Sequence, residues 1–530
     1  MTGPETGHRK HGPLSTIAVF VAAFLAMLDL SISAVALPAI REDLNASLSG
    51  LQWMFDAYTL CFASLLLVGG LISDRLGHRT GLIASLGLFV VGSALCALAP
   101  SAGTLIAGRA VQGAAAAMLV PGSMAMIAQI SRDDAHRARL IGIWSGLSGA
   151  AIALGPVVGG GLVEVLGWRS IFWINLPIGV AVIVLLATVV PAAARNPQGR
   201  IDVPGLLLGA LWSAALAYAV IEGNVQGWTS PVIVGAFVVA VAALVAFLIV
   251  EFRLAHPMMP VRLFGQRAFA AANLISFAMG FALSSSFYFL SLLLQEVLGY
   301  GPLGAGLGFL PAAIALTVMA PLSGRLFARL GAGPLVAGGL LLGALGLFGL
   351  TIGGVDTPYL QYSWAVALIG VGWGAALPPT NAVALGAVPP QQAGAAAGTV
   401  ETAMQFGTVV GIAVLGTVQA TGLTSDLRDR LAGVGVAEPL RGQAADQIAA
   451  GQSQDLSGFT GDLERLTAQA FTHGLELVFV IGAVVVGLSA LVALVGLPRR
   501  ARPDAGGGEP SPVDPSAVSH DTENMGSPAP

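Results

Sequence analysis

The sequence has 530 residues, of which 55% are hydrophobic and only 10% are charged, with a mean hydropathy of +0.82. In soluble domains about a quarter of the residues are charged. This composition therefore excludes a water-soluble globular protein and indicates a polytopic membrane protein. The net charge of −4 gives no basic surface for nucleic acid. The two cysteines, Cys61 and Cys96, fall inside apolar segments, so we expect no disulfide framework, metal site or cofactor.

Apolar segments follow one another along the chain, separated by charged or glycine- and proline-rich stretches. The first, residues 14–37, follows Arg9 and Lys10 and is too long for the apolar region of a signal peptide. It should therefore remain as the first span, and the later segments are also long enough to cross a hydrocarbon core of about 30 Å. The sequence predicts fourteen transmembrane helices, which start near Leu14, Ser49, Thr80, Gly103, Leu140, Ser170, Val203, Pro231, Ala268, Leu303, Pro334, Tyr362, Ala395 and Thr472.

The fourteen predicted helices divide into two related halves with an insertion. The stretch PLSGRLFARLGAGP, residues 321–334, resembles the connection after the second helix, and internal repeats are common in transporters. We predict an all-α polytopic membrane fold with two six-helix bundles and two inserted helices. The expected parts are a cytoplasmic N-terminus (1–13), the first bundle (14–191), the inserted helices (203–252), the second bundle (268–497) with a partly helical external loop (421–471), and a disordered cytoplasmic tail (498–530).

Arginines are concentrated in alternate connections. The connections after even-numbered helices hold most of them, whereas the short connections on the other face hold only Arg41 and Arg169. Since positively charged loops stay in the cytoplasm, this asymmetry predicts cytoplasmic N- and C-termini and a location in the plasma membrane.

The connection between the second and third helices reads GLISDRLGHR, residues 70–79, with an acid and two arginines between glycines. We expect a charged hinge in which Asp74 faces the positive N-terminal end of a helix from the other bundle and stabilises one access state. The second half has Ala328 where the acid would be, so the latch should belong to the first half. The predicted latch consists of Gly70, Asp74, Arg75, Gly77 and Arg79.

Three ionisable residues fall at membrane depth in three different helices. At about 1.5 Å per residue, Asp29, Asp56 and Arg109 lie roughly 10 to 13 Å below the outer surface. Ionisable groups at this depth cost about 2.5 to 3.5 kcal/mol each on insertion scales and mark functional sites. Two carboxylates near one guanidinium form a site whose protonation depends on what else is bound. Such a site can exchange a proton for a cation.

Each of these three ionisable residues also has a purely structural interpretation. Asp29 also fits a hydrogen bond to the backbone, Asp56 a hydrated position near the interface, and Arg109 a clamp that joins helices through carbonyl groups. Glu401 lies about 9 Å from the cytoplasmic face. It either lines a cavity that a cation enters from inside or is hydrated by a cytoplasmic vestibule.

Five stretches carry motifs, which are LDLSISAVALP (28–38), GLISDRLGHR (70–79), RAVQG (109–113), GPVVGG (155–160) and GWRSIFWINLPIG (167–179). They resemble motifs of the major facilitator superfamily, and in this order those of its fourteen-helix drug:proton antiporters. WMFDAYTL and VETAM, which contain Asp56 and Glu401, are most similar to the quaternary-ammonium exporters of that family.

The resemblance implies that Arg109 takes part in proton coupling and that acidic residues serve cationic drugs. Glycine and proline in the fifth helix bend it and let a neighbouring helix approach closely, which allows two bundles to rock without a leak. The motif positions expected at this hinge are Gln112, Gly113, Gly155, Pro156, Gly159 and Gly160.

The predicted function is proton-coupled multidrug efflux by alternating access, with lipophilic cations as substrates. Asp29, Asp56 and Arg109 are the expected coupling residues, and Glu401 is the expected drug-recognition acid. The expected partners are a small-molecule drug, protons and the lipid bilayer, and we expect a monomer. Aromatic side chains that offer cation-π faces to a drug, or that simply pack helices and contact lipid, are Tyr58, Trp144, Phe287, Tyr288, Trp373 and Phe406.

Two alternatives stay open. The first is a dedicated exporter or importer of an antibiotic, another natural product or a nutrient in the same fold, because the acids favour a cation without identifying it. The second is a membrane receptor, a structural protein or a membrane enzyme. Against an enzyme, the sequence has no Walker loop, no H-E-x-x-H and no nucleophile elbow.

Overall fold

A computed structural model describes residues 13–131, 134–190, 202–254, 261–388, 393–434, 436, 438, 440–449 and 462–498. The predicted N-terminus up to residue 12 and the predicted tail beyond residue 498 lie outside the described residues. The long helices are α1 (Pro13–Ile32), α2 (Leu48–Leu76), α3 (His78–Ala97), α4 (Ala102–Ile130), α5 (Asp134–Leu166), α6 (Ser170–Val189), α7 (Val203–Gln226), α8 (Pro231–Arg253), α9 (Arg267–Val297), α10 (Pro302–Leu330), α11 (Ala332–Gly349), α12 (Leu360–Gly386), α13 (Ala393–Gly433) and α14 (Asp462–Gly496).

These helices confirm an all-α membrane fold. Within the described ranges, twelve helices are long and apolar enough to cross a membrane. The other two long helices, α2 and α5, have 29 and 33 residues and pack within the bundle. Twelve helices begin within two residues of their predicted starts, whereas α5 begins at Asp134 rather than near Leu140, and α14 at Asp462 rather than near Thr472.

Polar and glycine residues set several helix ends. The side chains of Ser47, Ser101, Asp202 and Ser230 each accept a hydrogen bond from a backbone N–H three residues later. Each cap satisfies an N–H that has no partner inside its helix. Gly77 follows α2 with a φ of 83°, a conformation that favours glycine, so α2 turns directly into α3.

The chain crosses the bundle alternately in the two directions. We call the side where α1 begins the near side and the side where α1 leads into the short helix Leu37–Leu44 the far side. Odd-numbered helices run from the near side to the far side, and even-numbered helices return. The arginine pattern predicts that the near side is cytoplasmic.

Helices α1–α6 pack on one another, α9–α14 form the second half, and the inserted pair α7–α8 lies against α2 and α13. Hydrogen bonds hold the inserted pair to both halves. Trp53 Nε1 donates to Glu222 Oε1 at 3.0 Å, and Thr417 Oγ1 donates to Val220 O at 3.0 Å. The pair therefore bridges the halves, while the residue boundaries assigned to the two bundles stay a prediction.

The far side of the bundle is closed by contacts between the halves. Hydrogen bonds that join residues 13–190 to residues 261–498 lie on this side. The closest of them join Ser291 Oγ to Ala34 O at 2.7 Å, Gln295 Nε2 to Val35 O at 3.0 Å, and Leu303 N to Glu164 Oε2 at 3.1 Å. In this conformation the two halves are therefore joined on the far side.

In the segment predicted as a partly helical external loop, residues 421–471, the described stretches 421–433, 440–449 and 462–471 are helical. Helix α13 continues to Gly433, so its 41 residues span about 60 Å, twice a hydrocarbon core. The extension is stabilised because Arg430 pairs with Asp426 one turn earlier and donates from Nη1 to Gln469 Oε1 of α14 at 2.7 Å. The position of this segment outside the membrane stays a prediction.

Candidate functional site

A buried ion pair joins α1 to α4. Arg109 Nη1 donates to Asp29 Oδ2 at 2.5 Å, and both side chains are fully shielded from solvent. Asp29 is held by α1 and faces the interior of the first half rather than lipid. A buried pair of this kind is costly to break, because the partner left behind is an uncompensated charge.

Neutral polar side chains complete the coordination of Asp29. Gln112 Nε2 and Asn175 Nδ2 both donate to Asp29 Oδ1, at 3.1 Å and 2.6 Å. Ser93 Oγ accepts from each of these two amides, at 2.8 Å and 3.2 Å. The Asp29 carboxylate thus accepts three side-chain hydrogen bonds, counting that from Arg109, and it is held on α1 by donors from α4 and α6.

Arg109 has further contacts with α2. Its guanidinium carbon lies 4.3 Å from the centre of the Tyr58 ring, a cation-π contact, and its Nε donates to Met54 O at 3.4 Å. Gly113, one turn along α4, packs so closely on α2 that a Cβ would lie 2.1 Å from Tyr58 O. Tyr58 therefore contacts the ion pair in this conformation.

Asp56 lies apart from this ion pair, and the expectation that one guanidinium serves both carboxylates is wrong for this conformation. Met54 and Tyr58, one turn apart on α2, face Arg109, whereas a residue two positions from Met54 points about 200° away. Asp56 is fully buried, and neither of its carboxylate oxygens has a hydrogen-bond partner. Gln52, one turn earlier on the same face of α2, packs on Gly416 of α13, so Asp56 faces the second half.

Glu401 lies in the near-side half of α13 with an intermediate exposure. Gln405 Nε2 donates to its Oε1 at 2.7 Å, one helical turn further on. The Glu401 carboxylate therefore accepts a hydrogen bond from one amide donor. Asp29 has three such donors, and Asp56 has none. Among the described residues, no group of three or more His, Cys, Asp or Glu side chains is placed to hold a metal ion.

The six candidate aromatic residues do not line one cavity. Besides Tyr58, Trp144 donates from Nε1 to Ser123 Oγ at 3.0 Å within the first half, and Tyr288 packs edge-on to Phe55 and Phe289. In the second half, Phe287 packs edge-on to Trp373 around a void of about 10 Å³, room for no more than one water.

Phe406 contacts Trp212 of the inserted helix α7, with ring centres 5.0 Å apart. It therefore lies on the side of α13 that faces the inserted pair. A drug-binding role for any of the six residues stays a prediction.

The latch residues are only partly within the described structure. Gly70, Asp74 and Arg75 belong to the last turns of α2, but their side chains lie outside the described residues. Arg79 donates from Nη2 to Ala187 O, at the C-terminal end of α6 in the same half. This contact favours a role for Arg79 within the first half, and the latch itself stays a prediction.

The fifth-helix glycines make close contacts, as expected from the motif. A Cβ at Gly155 would lie 1.8 Å from Ser31 Oγ of α1, and one at Gly159 would lie 2.9 Å from Ile32 O. A Cβ at Gly160 would lie 2.3 Å from Pro302 O of α10, and one at Gly306 would lie 2.1 Å from Pro156 O. The fifth helix therefore packs without side chains against both halves at once.

Two residues of the site, Ser93 and Asn175, were not found from the sequence. Neutral polar side chains are ordinary in membrane helices, where they join helices by hydrogen bonds, so they give little signal. Asn175 stands within the GWRSIFWINLPIG motif, which marks the segment but not the direction of the side chain. Gln112, expected at the hinge, bridges Asp29 and Arg109 instead.

Two helical halves packed around buried acids, with glycine contacts at their junction, define the class as a multi-pass membrane transporter. The chain belongs to the Major Facilitator Superfamily, whose profile matches residues 19–412.

Characterised relatives have names that refer to resistance and export. The chain is 38% identical to the methylenomycin A resistance protein of Streptomyces coelicolor, over 74% of this chain and 83% of that protein. It is 32% identical to the tetracenomycin C resistance and export protein of Streptomyces glaucescens, over 97% of both chains. It is also 34% identical to the multidrug resistance protein Stp of Mycobacterium tuberculosis, over 79% of this chain and 78% of that protein.

Solved structures show the same fold. The crystal structure of a bacterial homolog of the human lysosomal transporter Spinster, in an inward-facing and unoccupied conformation, superposes with a TM-score of 0.64. The match covers 92% of this chain and 98% of the other, at 16% sequence identity. At this identity the likeness concerns the fold alone.

Proposed function

We propose that the protein is a proton-coupled multidrug efflux transporter that exports lipophilic cations by alternating access. The observation that carries the proposal is Asp56, a fully buried acid without a hydrogen-bond partner, which faces the junction of the two halves. An isolated ionised carboxylate is strongly disfavoured in such a place, so the resting acid is neutral. A bound organic cation supplies the compensating charge and releases the proton.

The remaining residues fit this cycle. A drug arrives from the near side, where Glu401 lies, because the far side is closed. Loss of the Asp56 proton to the near side accompanies drug binding, and protonation from the far side after the halves have rocked expels the drug. The Asp29–Arg109 pair and its amide donors hold α1, α4 and α6 as one unit during the movement.

The direction of transport follows from the orientation and from the relatives. The arginine asymmetry supports a cytoplasmic near side with both termini in the cytoplasm of a plasma-membrane protein. Relatives whose names refer to multidrug resistance and to antibiotic resistance and export support efflux rather than uptake. Export then uses the inward proton gradient, and a monomer contains all the residues of the proposed cycle.

A dedicated antibiotic exporter is the second candidate function. It is favoured by relatives that are named after single antibiotics, methylenomycin A and tetracenomycin C. The two functions share the fold and the proton cycle and differ in the range of substrates. A panel of drug-susceptibility assays in an efflux-deficient host separates them, since a dedicated exporter protects against one chemical class.

Transport by the purified protein in proteoliposomes tests the proposal. Vesicles with an imposed proton gradient should move a fluorescent lipophilic cation against its concentration gradient, and a protonophore should stop the movement. Vesicles that contain the Asp56→Asn variant serve as the matched control and should equilibrate the dye without accumulating it. Accumulation that persists without a proton gradient would contradict the proposal.

A further inference from the structure

A second cavity lies away from the buried acids. It has a volume of about 400 Å³ and lies between the inserted pair α7–α8 and helices α2, α9 and α13. Its residues belong to the near-side halves of these helices, for example Ser64 late in α2 and Thr399 early in α13. We call it the lateral cavity. A volume of this size holds a drug-sized molecule.

The walls of the lateral cavity are apolar and aromatic. Five aromatic side chains line it, Trp212, Phe247, Phe264, Phe277 and Phe406. None of its described lining residues is charged. A cation or an anion would therefore lie there without a compensating charge, which is strongly unfavourable in an apolar environment.

Two buried polar atoms in the walls lack partners. Asn273 is 3% exposed and donates from Nδ2 to Phe269 O, but its Oδ1 accepts no hydrogen bond. Thr402 is 5% exposed, and its Oγ1 also has no partner. Buried polar atoms in membrane helices are normally satisfied, because each unmade hydrogen bond costs free energy. A ligand that carries a hydroxyl or amide group supplies a hydrogen-bond donor for either atom.

The lateral cavity has a path to the bilayer. Leu248 of α8 and Leu274 of α9 both line it and are 37% and 53% exposed on the surface of the helices. The lateral cavity therefore borders the lipid-facing surface at these two leucines.

The lateral cavity is distinct from the cation site. Glu401 does not line it. Thr402 follows Glu401 at about 100° around α13, so the two side chains point to different sides of the helix. The lateral cavity can therefore select ligands by hydrophobicity and hydrogen bonding, whereas the acids select by charge.

We propose that the lateral cavity is a binding site for neutral lipophilic molecules that carry a hydroxyl or amide hydrogen-bond donor and enter it from the bilayer. Such a molecule comes from one of two sources, a neutral membrane lipid such as a diacylglycerol or a neutral drug. Both have an apolar body for the aromatic walls and a donor for Asn273 Oδ1 and Thr402 Oγ1. The site does not depend on proton coupling, and its test measures binding.

The probes are a dodecanol that bears a photoreactive diazirine and a dodecyltrimethylammonium that bears the same group. The protein in phosphatidylcholine vesicles is irradiated with each probe, and the labelled peptides are identified by mass spectrometry. The alcohol should label residues of α7, α9 and α13 around the lateral cavity, and excess unlabelled dodecanol should suppress the labelling. The ammonium probe should label these residues at least fivefold less.

Two variants show whether the cavity itself is labelled. Ala403→Phe fills the cavity and should reduce labelling by the alcohol about tenfold, whereas Ala242→Phe, on the exposed face of α8, should leave it unchanged. Thr402→Val keeps the shape and removes one hydroxyl, so it should weaken binding about three- to tenfold, the effect of one neutral hydrogen bond. Thr402→Val also serves if the filling variant does not fold.

Competition identifies the source of the ligand. Displacement of the alcohol by dioctanoylglycerol supports a lipid, and displacement by chloramphenicol, a neutral drug with hydroxyl and amide donors, supports a drug. Labelling of the cavity residues that cannot be saturated, or that stays the same in Ala403→Phe and Thr402→Val, would overturn the proposal. Neither result bears on whether the Asp56 cycle is correct.

Discussion

Asp29 and Asp56 are both buried aspartates in the first half of the protein, but their surroundings are opposite. Asp29 accepts hydrogen bonds from Arg109, Gln112 and Asn175. Asp56 has no hydrogen-bond partner for either oxygen. The first acid is satisfied as a carboxylate, whereas the second fits the apolar surroundings only when neutral. A proton carrier needs the second kind of site, and a structural clamp needs the first.

Glu401 lies between these extremes, with the single donor from Gln405. The number of donors around the three acids thus decreases from Asp29 to Glu401 to Asp56. We expect the cost of changing each site to the folded protein to decrease in the same order. The effect on transport should not follow that order, because the least satisfied acid is the one that exchanges a proton.

The largest loss of stability should come from Arg109→Gln. The change leaves the buried Asp29 carboxylate without its cation, which costs about 3 to 5 kcal/mol. Thermal unfolding in detergent measures the loss. Arg169→Gln is the control, because Arg169 pairs with Asp43 on a partly exposed surface and its loss should cost about 1 kcal/mol or less. Equal destabilisation by the two variants would show that the buried Asp29–Arg109 pair contributes no more to stability than an exposed ion pair.

A smaller loss should follow from Asn175→Leu, which keeps the branched shape of the side chain and removes one donor to Asp29. A hydrogen bond to a charged group contributes about 1.5 to 3 kcal/mol. The loss should largely vanish when Asp29→Asn is already present, which a double-mutant cycle of unfolding temperatures measures. Additive losses would mean that Asn175 stabilises the fold independently of Asp29.

Glu401→Gln should change stability by less than about 1 kcal/mol, since only one neutral donor contacts the acid. It should weaken resistance to quaternary ammonium compounds and bis-cations more than resistance to neutral drugs, because a carboxylate attracts a cation in a low dielectric. Resistance profiles at matched expression test this, with Asp29→Asn as the comparison that should weaken all classes. A uniform decrease for Glu401→Gln would remove its role in cation recognition.

Much of this contrast could be predicted from the sequence. Ionisable residues are rare in apolar helices, so Asp29, Asp56, Arg109 and Glu401 stand out, and counting depth along a helix brings Asp29 and Arg109 together. Depth does not give the direction of a side chain. Depth alone therefore groups Asp56 with Arg109, although Asp56 points away from the face of α2 that holds Met54.

Other features depend on tertiary contacts that leave little trace in the sequence. Ser93 and Asn175 resemble many neutral polar residues in membrane helices. The contact between Arg430 of α13 and Gln469 of α14 joins residues that are 39 positions apart in the sequence. The sequence does not show that Phe406 contacts the inserted helix α7, because that contact depends on how the helices pack.

The most direct test of the account is drug-induced proton release by the purified protein. In weakly buffered detergent solution with a pH indicator, addition of tetraphenylphosphonium to the wild-type protein should release protons in proportion to binding. Asp56→Asn should bind the cation more weakly and release none, although it should unfold within about 1 kcal/mol of the wild type, because it loses no hydrogen bond. Undiminished proton release by a folded Asp56→Asn variant would contradict the assignment of Asp56 as the proton carrier.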